Sequence, residues 1–223
     1  MQNPSFIGRG TLLPMAFIDA LFLIAIIMFS AIIHEVAHGV AADKLGDPTA
    51  RYAGRLTLNP IPHLDPFGSL LLPLILALSG SPIFFGWAKP VPYNPYNLKA
   101  SPRWGEAIVA FAGPLSNFLI AIVAAITIRL GVLPEEVAAV VFLVVLVNVM
   151  LGIFNLIPIP PLDGSKILSA LLPHGARRGY DEWRARLEYN PFLGFGLVIL
   201  FILIAGSAFS SFVYSVSRYL AGV

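Results

Sequence analysis

The chain has 223 residues, 57% of them hydrophobic and 12% charged, where soluble domains carry about 25% charged residues. A mean hydropathy of +0.83 excludes an ordinary soluble domain, and a formal charge of only +2 excludes a dedicated nucleic-acid binder. There is no cysteine, so disulfides and thiolate metal sites are excluded and any metal must be held by His, Asp or Glu.

The first apolar segment runs from about Leu12 to Ala42, longer than the roughly 20 residues that span a bilayer. The second, Phe67 to Ser79, is too short to cross and is predicted as a re-entrant or partial helix, with Asp65 as its N-cap and Pro66 as its first residue. Residues 80–103 are rich in Pro, Gly, Asn and Tyr, which predicts an extended, membrane-associated hairpin loop. A third segment covers about Gly105 to Leu130. A fourth covers about Pro134 to Ile157, with Glu135 and Glu136 in its first turn, where the helix dipole favours them. A polar stretch at 173–190 carries Arg177, Arg178, Arg184 and Arg186, and a last apolar segment runs from about Asn190 to Val216. The predicted fold is an all-α polytopic membrane protein of about four transmembrane helices plus the partial helix and the hairpin loop. Residues 1–223 are expected to form a single integral-membrane domain with its core at about 30–173.

Charge distribution decides the topology. If the second segment does not cross, Lys44, Arg51, Arg55, Lys89, Lys99, Arg103, Lys166, Arg177, Arg178, Arg184 and Arg186 share one side, and Arg9, Arg129 and Arg218 share the other. If it does cross, the bias is weaker. The positive-inside rule favours four spans with the basic side cytoplasmic.

His34-Glu35-Val36-Ala37-His38 lies inside the first apolar segment. A charge at mid-bilayer costs at least about 3 kcal/mol, so polar groups there usually mark a site. On a helix His34 and His38 share a face and can reach one metal ion, with Glu35 beside them to activate a water. Two histidines need a third protein ligand. Asp163 is the best candidate, because the four-span topology brings it to the side on which the first segment ends; the alternative is an ordinary Asp-Gly turn. Asn155, on the ligand-bearing segment, is the better candidate donor to a developing oxyanion, and Asn117, beside Gly113-Pro114, is a second; the alternative for both is interhelical hydrogen bonding, which weighs more for Asn117 and is the role expected for Asn148. His63 is expected to be structural.

With these motifs in order, the sequence resembles the site-2 protease family of intramembrane zinc metalloproteases. The resemblance rests on His34 to His38, Gly113-Pro114-Leu115-Ser116-Asn117 and the run Asn155 to Gly164. Leu58-Asn59-Pro60, Asp65-Pro66-Phe67-Gly68 and Phe85 to Pro92 add to it, in the manner of prokaryotic members without a PDZ or regulatory domain. The resemblance implies that His34, His38 and Asp163 bind one Zn2+, that Glu35 is the catalytic base, that Asn117 and Asn155 line the site, and that the segment around Gly86 and Lys89 holds an extended substrate. It also implies a multi-pass protein in the plasma membrane of a prokaryote, cleaving transmembrane segments of other membrane proteins. A membrane metal transporter and a non-catalytic binder of membrane helices are the competing readings; neither requires a glutamate next to the histidine pair.

Overall fold

The computed structural model describes residues 12–71, 75, 78, 88–99 and 101–223, and among these there is no strand. The helices of three residues or fewer aside, the elements are α1 (Leu12–Lys44), α2 (Thr49–Tyr52), α3 (Pro102–Arg129), α4 (Glu135–Asn155), α5 (Asp163–Leu171), α6 (His174–Tyr189) and α7 (Pro191–Ala221), with a π-helical turn at Pro66–Leu71. Among the described residues, four stretches are long and apolar enough to cross a membrane: Phe22–Lys44, Arg103–Arg129, Glu135–Asn155 and Phe192–Ala221. These are the four predicted spans, and the protein is an all-α, multi-pass membrane protein. Of the predicted partial helix, Asp65 caps the turn that starts at Pro66, its Oδ1 accepting from the N–H groups of Phe67 at 3.1 Å and Gly68 at 2.6 Å. Most of the rest of that segment, and the part of the hairpin containing Gly86 and Trp87, lie outside the described residues.

The pattern of burial is that of a protein dissolved in lipid. Phe22, Ile24, Phe29, Leu119, Val123, Leu203 and Ile204 are exposed, whereas Ser30, His34, His38, Asn117, Asn148 and Ser217 are buried. In hydrocarbon, helices associate through small residues and interhelical hydrogen bonds rather than through apolar surface. Accordingly α3, which touches α1, α4, α5 and α7, packs through Ala121, Ala124 and Ala125 against Val145 and Val149 of α4 and Val213 of α7.

The stretch 158–190, which reads as connecting chain, holds two helices. In α6 the polar sequence is stabilised by ion pairs four residues apart, Arg177 with Asp181 and Arg178 with Glu182, both at 3.2 Å. Arg184 reaches Glu106 on α3 at 3.2 Å, tying α6 to the bundle. Arg103 donates to the carbonyls of Ala170 and Leu172, satisfying the end of α5.

Asp47 anchors the loop that follows α1. It is fully buried, and its carboxylate accepts from the Thr49 hydroxyl, the Thr49 N–H, the Asn94 N–H and the Asn97 amide. Burial alone would raise its pKa, but these donors outweigh it and hold the group below its ordinary value. The stabilisation is therefore complete above the unfolded-state pKa of about 3.9 and is lost as pH falls through the lower folded value. Asp47→Ala is expected to cost about 3 kcal/mol, the order expected for a buried charge-assisted network, and to lower the melting temperature of the detergent-solubilised protein at neutral pH.

Candidate metal centre

Three side chains from two helices converge on one point. His34 and His38 lie one helical turn apart on α1 and are 6% and 8% exposed; Asp163, 8% exposed, is the first residue of α5. The Nε2 atoms of the two histidines are 3.0 Å apart, and each is 3.2 Å from Asp163 Oδ2. The opposite ring nitrogens face other partners: His38 Nδ1 donates to the carbonyl of Val109 at 2.7 Å, and His34 Nδ1 lies 2.6 Å from Asn117 Oδ1.

These positions test whether the residues suit zinc. With Nδ1 protonated, each neutral imidazole presents a bare lone pair at Nε2. Two lone pairs and a carboxylate oxygen then face one another with no proton between them, an arrangement that only a cation relieves. Zn–N and Zn–O bonds of about 2.0–2.1 Å set the ligand–ligand edges of a tetrahedron at about 3.3 Å, close to the edges of this triangle. His34, His38 and Asp163 thus fit a zinc ion with one position left open.

Local sequence explains why the triangle forms. Gly113 of α3 lies directly against both rings: a Cβ there would be 2.5 Å from His38 Nε2 and 2.6 Å from His34 Cε1. Gly164 allows α5 to start against the preceding loop, since a Cβ would lie 2.1 Å from the carbonyl oxygen of Leu156. Asp163 thereby enters the site from a helix N-terminus, which favours a carboxylate.

Glu35 sits beside the triangle, its Oε2 accepting from the Val91 N–H at 2.8 Å. Val91 is flanked by Pro90 and Pro92, which have no N–H, so this donor is the only one that residues 90–92 can offer. The segment is pinned by the Lys89 N–H donating to the His63 carbonyl at 2.9 Å and by Arg55 donating to the Lys89 carbonyl at 2.6 Å. His63 itself is buried and hydrogen-bonded to the Thr57 carbonyl, a structural placement. The resulting cavity of about 150 Å³ is lined by the triangle, Glu35, Pro90, Val91, Tyr93, Asn155, Pro161 and Lys166.

Of the predicted site residues, the structure gathers His34, Glu35, His38, Asp163 and Asn155 around this cavity. Asn155 there donates to the Leu151 carbonyl of its own helix. Asn117 is fully buried behind His34, outside the cavity lining, and Lys89 is exposed outside it. Gly86 lies outside the described residues. Tyr93 and Lys166 were missed from the sequence. The Lys166 ammonium lies 5.4 Å from the centre of the Tyr93 ring; burial alone would lower its pKa, but Tyr93, Asp163 and Glu106 outweigh it and raise it. Its spacing from Asp163, one turn along a helix, was the available signal.

A helical membrane bundle with two imidazoles, a carboxylate and a neighbouring glutamate around one open cavity defines a class, the membrane-embedded metallohydrolases. Peptidase family M50 matches the chain over residues 22–133 and 131–203, and the chain belongs to that family; it is a zinc-dependent peptidase. It is 38% identical over 165 residues to "Putative zinc metalloprotease YwhC" of Bacillus subtilis, covering 70% of this chain and 71% of that protein. It is 32% identical over 174 residues to "Putative zinc metalloprotease Rip2" of Mycolicibacterium smegmatis, covering 76% of this chain and 64% of the relative. Over 71 residues, 32% of this chain and 21% of the relative, it is 41% identical to "Zinc metalloprotease MJ0392" of Methanocaldococcus jannaschii. No solved structure matches the chain.

Proposed function

We propose that the protein is an intramembrane endopeptidase that cuts transmembrane segments of other membrane proteins. His34, His38 and Asp163 hold its one zinc ion, and Glu35 is its catalytic base. The observation that carries this reading is the 3.0–3.2 Å triangle of His34 Nε2, His38 Nε2 and Asp163 Oδ2 with Glu35 beside it, within helices that expose apolar surface all round. When bound, zinc lowers the pKa of a water toward about 7 and polarises the scissile carbonyl. Glu35 takes the water's proton and returns it to the leaving amine. The Val91 N–H holds the Glu35 carboxylate by one oxygen and leaves the other for this transfer. Asn155, once its amide turns from Leu151, donates to the carbonyl oxygen as charge develops there.

The size of the cavity bears on the substrate. A helix is about 10–12 Å across with its side chains, so a cavity of about 150 Å³ admits a short extended stretch and not a helix. The substrate span therefore unwinds locally, and the irregular backbone at 88–93, which includes Lys89, is the surface on which an unwound strand is held; Gly86, outside the described residues, belongs to the same proposed surface by sequence alone. The excess of Lys and Arg on one side supports a site opening toward the cytoplasm of a prokaryotic cell, with the protein in the plasma membrane. Residues 1–223 act as one membrane domain in this reading.

The test is reconstitution into lipid vesicles with a single-span substrate, with fragments identified by mass spectrometry. Cleavage within the span is expected, abolished by a zinc chelator and restored by added zinc. Cleavage confined to loops outside the bilayer, or indifferent to the chelator, would sink the proposal.

A further inference from the structure

Both imidazoles must present a bare Nε2 to one cation, so the position of each ring proton matters to function. For His38 the matter is local, because the carbonyl of Val109 can only accept and the proton must lie on Nδ1. For His34 the partner is the Asn117 side chain, and an amide can turn either its oxygen or its nitrogen toward the ring. What decides the orientation lies one helix further away.

Asn117 Nδ2 is 2.9 Å from Asn148 Oδ1 and 3.4 Å from the carbonyl oxygen of Ser30. Asn148 Nδ2 is 2.9 Å from the Val144 carbonyl oxygen and 2.9 Å from Ser30 Oγ. The Val144 carbonyl can only accept, so the nitrogen of Asn148 must face it and its oxygen must face Asn117. That oxygen in turn requires the nitrogen of Asn117, and Asn117 is left to show its oxygen to His34. An oxygen there can only accept, so His34 carries its proton on Nδ1 and keeps Nε2 bare. Turning Asn117 over would set its oxygen against Asn148 Oδ1 and the Ser30 carbonyl, in a site where both asparagines are 0% exposed and no water can relieve the clash.

We propose that Asn148 is a positioning residue, which sets the tautomer of His34 through Asn117 and so primes Nε2 for metal. The inference rests on the reading of His34, His38 and Asp163 as zinc ligands. It adds to the interhelical hydrogen bonding expected for Asn148 from the sequence, which its contacts with Asn117 and Ser30 bear out: packing would need any hydrogen bond across the helices, whereas the chain from Val144 to His34 has one direction only. Hydrogen-bond partners behind metal-bound histidines commonly contribute 10- to 100-fold in metal affinity.

The test uses the whole protein in detergent, with two readouts. Zinc affinity is measured by competition with a chromophoric chelator. The His34 tautomer is read from 15N shifts of the zinc-free protein labelled at histidine, assigned by the signal lost in His34→Gln. Wild type is expected to hold a single Nδ1–H tautomer; a single Nε2–H tautomer would overturn the proposal without any variant at Asn148. Asn148→Leu is expected to mix the tautomers and weaken zinc binding by about 10- to 100-fold. A merely structural role is separated by the tautomer itself: loss of zinc affinity in Asn148→Leu with the single Nδ1–H tautomer of His34 intact would mark a structural role and overturn the proposal. Unchanged tautomer and affinity in Asn148→Leu would overturn the proposal. If Asp163→Asn binds zinc as tightly as wild type, the ligand assignment fails instead, and the tautomer in zinc-free protein still decides the role of Asn148.

Discussion

Glu35→Gln is expected to lower the rate of cleavage by about 10²- to 10⁴-fold, the span of a general base, while leaving zinc affinity at the wild-type level. Gln has the shape of Glu, and its side-chain oxygen can still accept from the Val91 N–H, so the segment around Val91 stays in place. What it lacks is the basicity to take a proton. The separation of activity from metal binding is the informative part. Glu35 lies close enough to the histidines for His34, Glu35 and His38 to be considered together as a metal-binding group. If Glu35 were a ligand, Glu35→Gln would weaken zinc binding; if it is the base, only turnover falls. Asp163→Asn is expected to do the reverse, losing zinc first and activity as a consequence. Cleavage by Glu35→Gln at the wild-type rate would remove Glu35 from the mechanism.

How far the sequence reveals this site follows from the range of the interactions involved. His34 and His38 are legible because helical spacing is local, and because two histidines in an apolar segment are costly enough to need a reason. Asp163 is far off in sequence, yet span counting and the charge bias place it on the side where α1 ends. Span positions are legible because a bilayer sets a minimum length of apolar chain. The α6 helix is not, since a polar segment has no apolar stripe to show and its order depends on Arg177–Asp181, Arg178–Glu182 and the long-range Arg184–Glu106 pair. Nor is the pairing of Lys166 with Tyr93, or the engagement of Glu35 by Val91: each joins the loop before α3 to another helix, and no local pattern encodes it. Asn117 is the instructive case. Its depth in the membrane marks it as significant, but whether it faces the cavity or stands behind His34 depends on how α3 is turned, which the sequence alone leaves open.

Gly113→Ala is expected to weaken zinc binding by at least about 100-fold, at or beyond the upper end of what loss of a hydrogen-bond partner behind a ligand does, and to remove activity with it. The added methyl would stand 2.5 Å from His38 Cε1 and Nε2 and 2.6 Å from His34 Cε1, far inside van der Waals contact. Something must move, and the rings have no free direction: His38 is held at Nδ1 by the Val109 carbonyl and His34 by Asn117. Metal–ligand distances tolerate only about 0.2 Å of error, so even the smallest shift that relieves the contact spoils the triangle. The fold pulls the other way. Alanine is a better helix former than glycine by about 0.8–1 kcal/mol, and α3 is continuous through this position. That gain offsets only part of the about 1–3 kcal/mol that overpacking two buried, hydrogen-bonded rings costs, so the zinc-free variant is expected to melt somewhat earlier than zinc-free wild type, while the zinc-induced rise in melting temperature disappears. A Gly113→Ala protein that bound zinc with wild-type affinity would mean that the two rings do not converge on the metal as described.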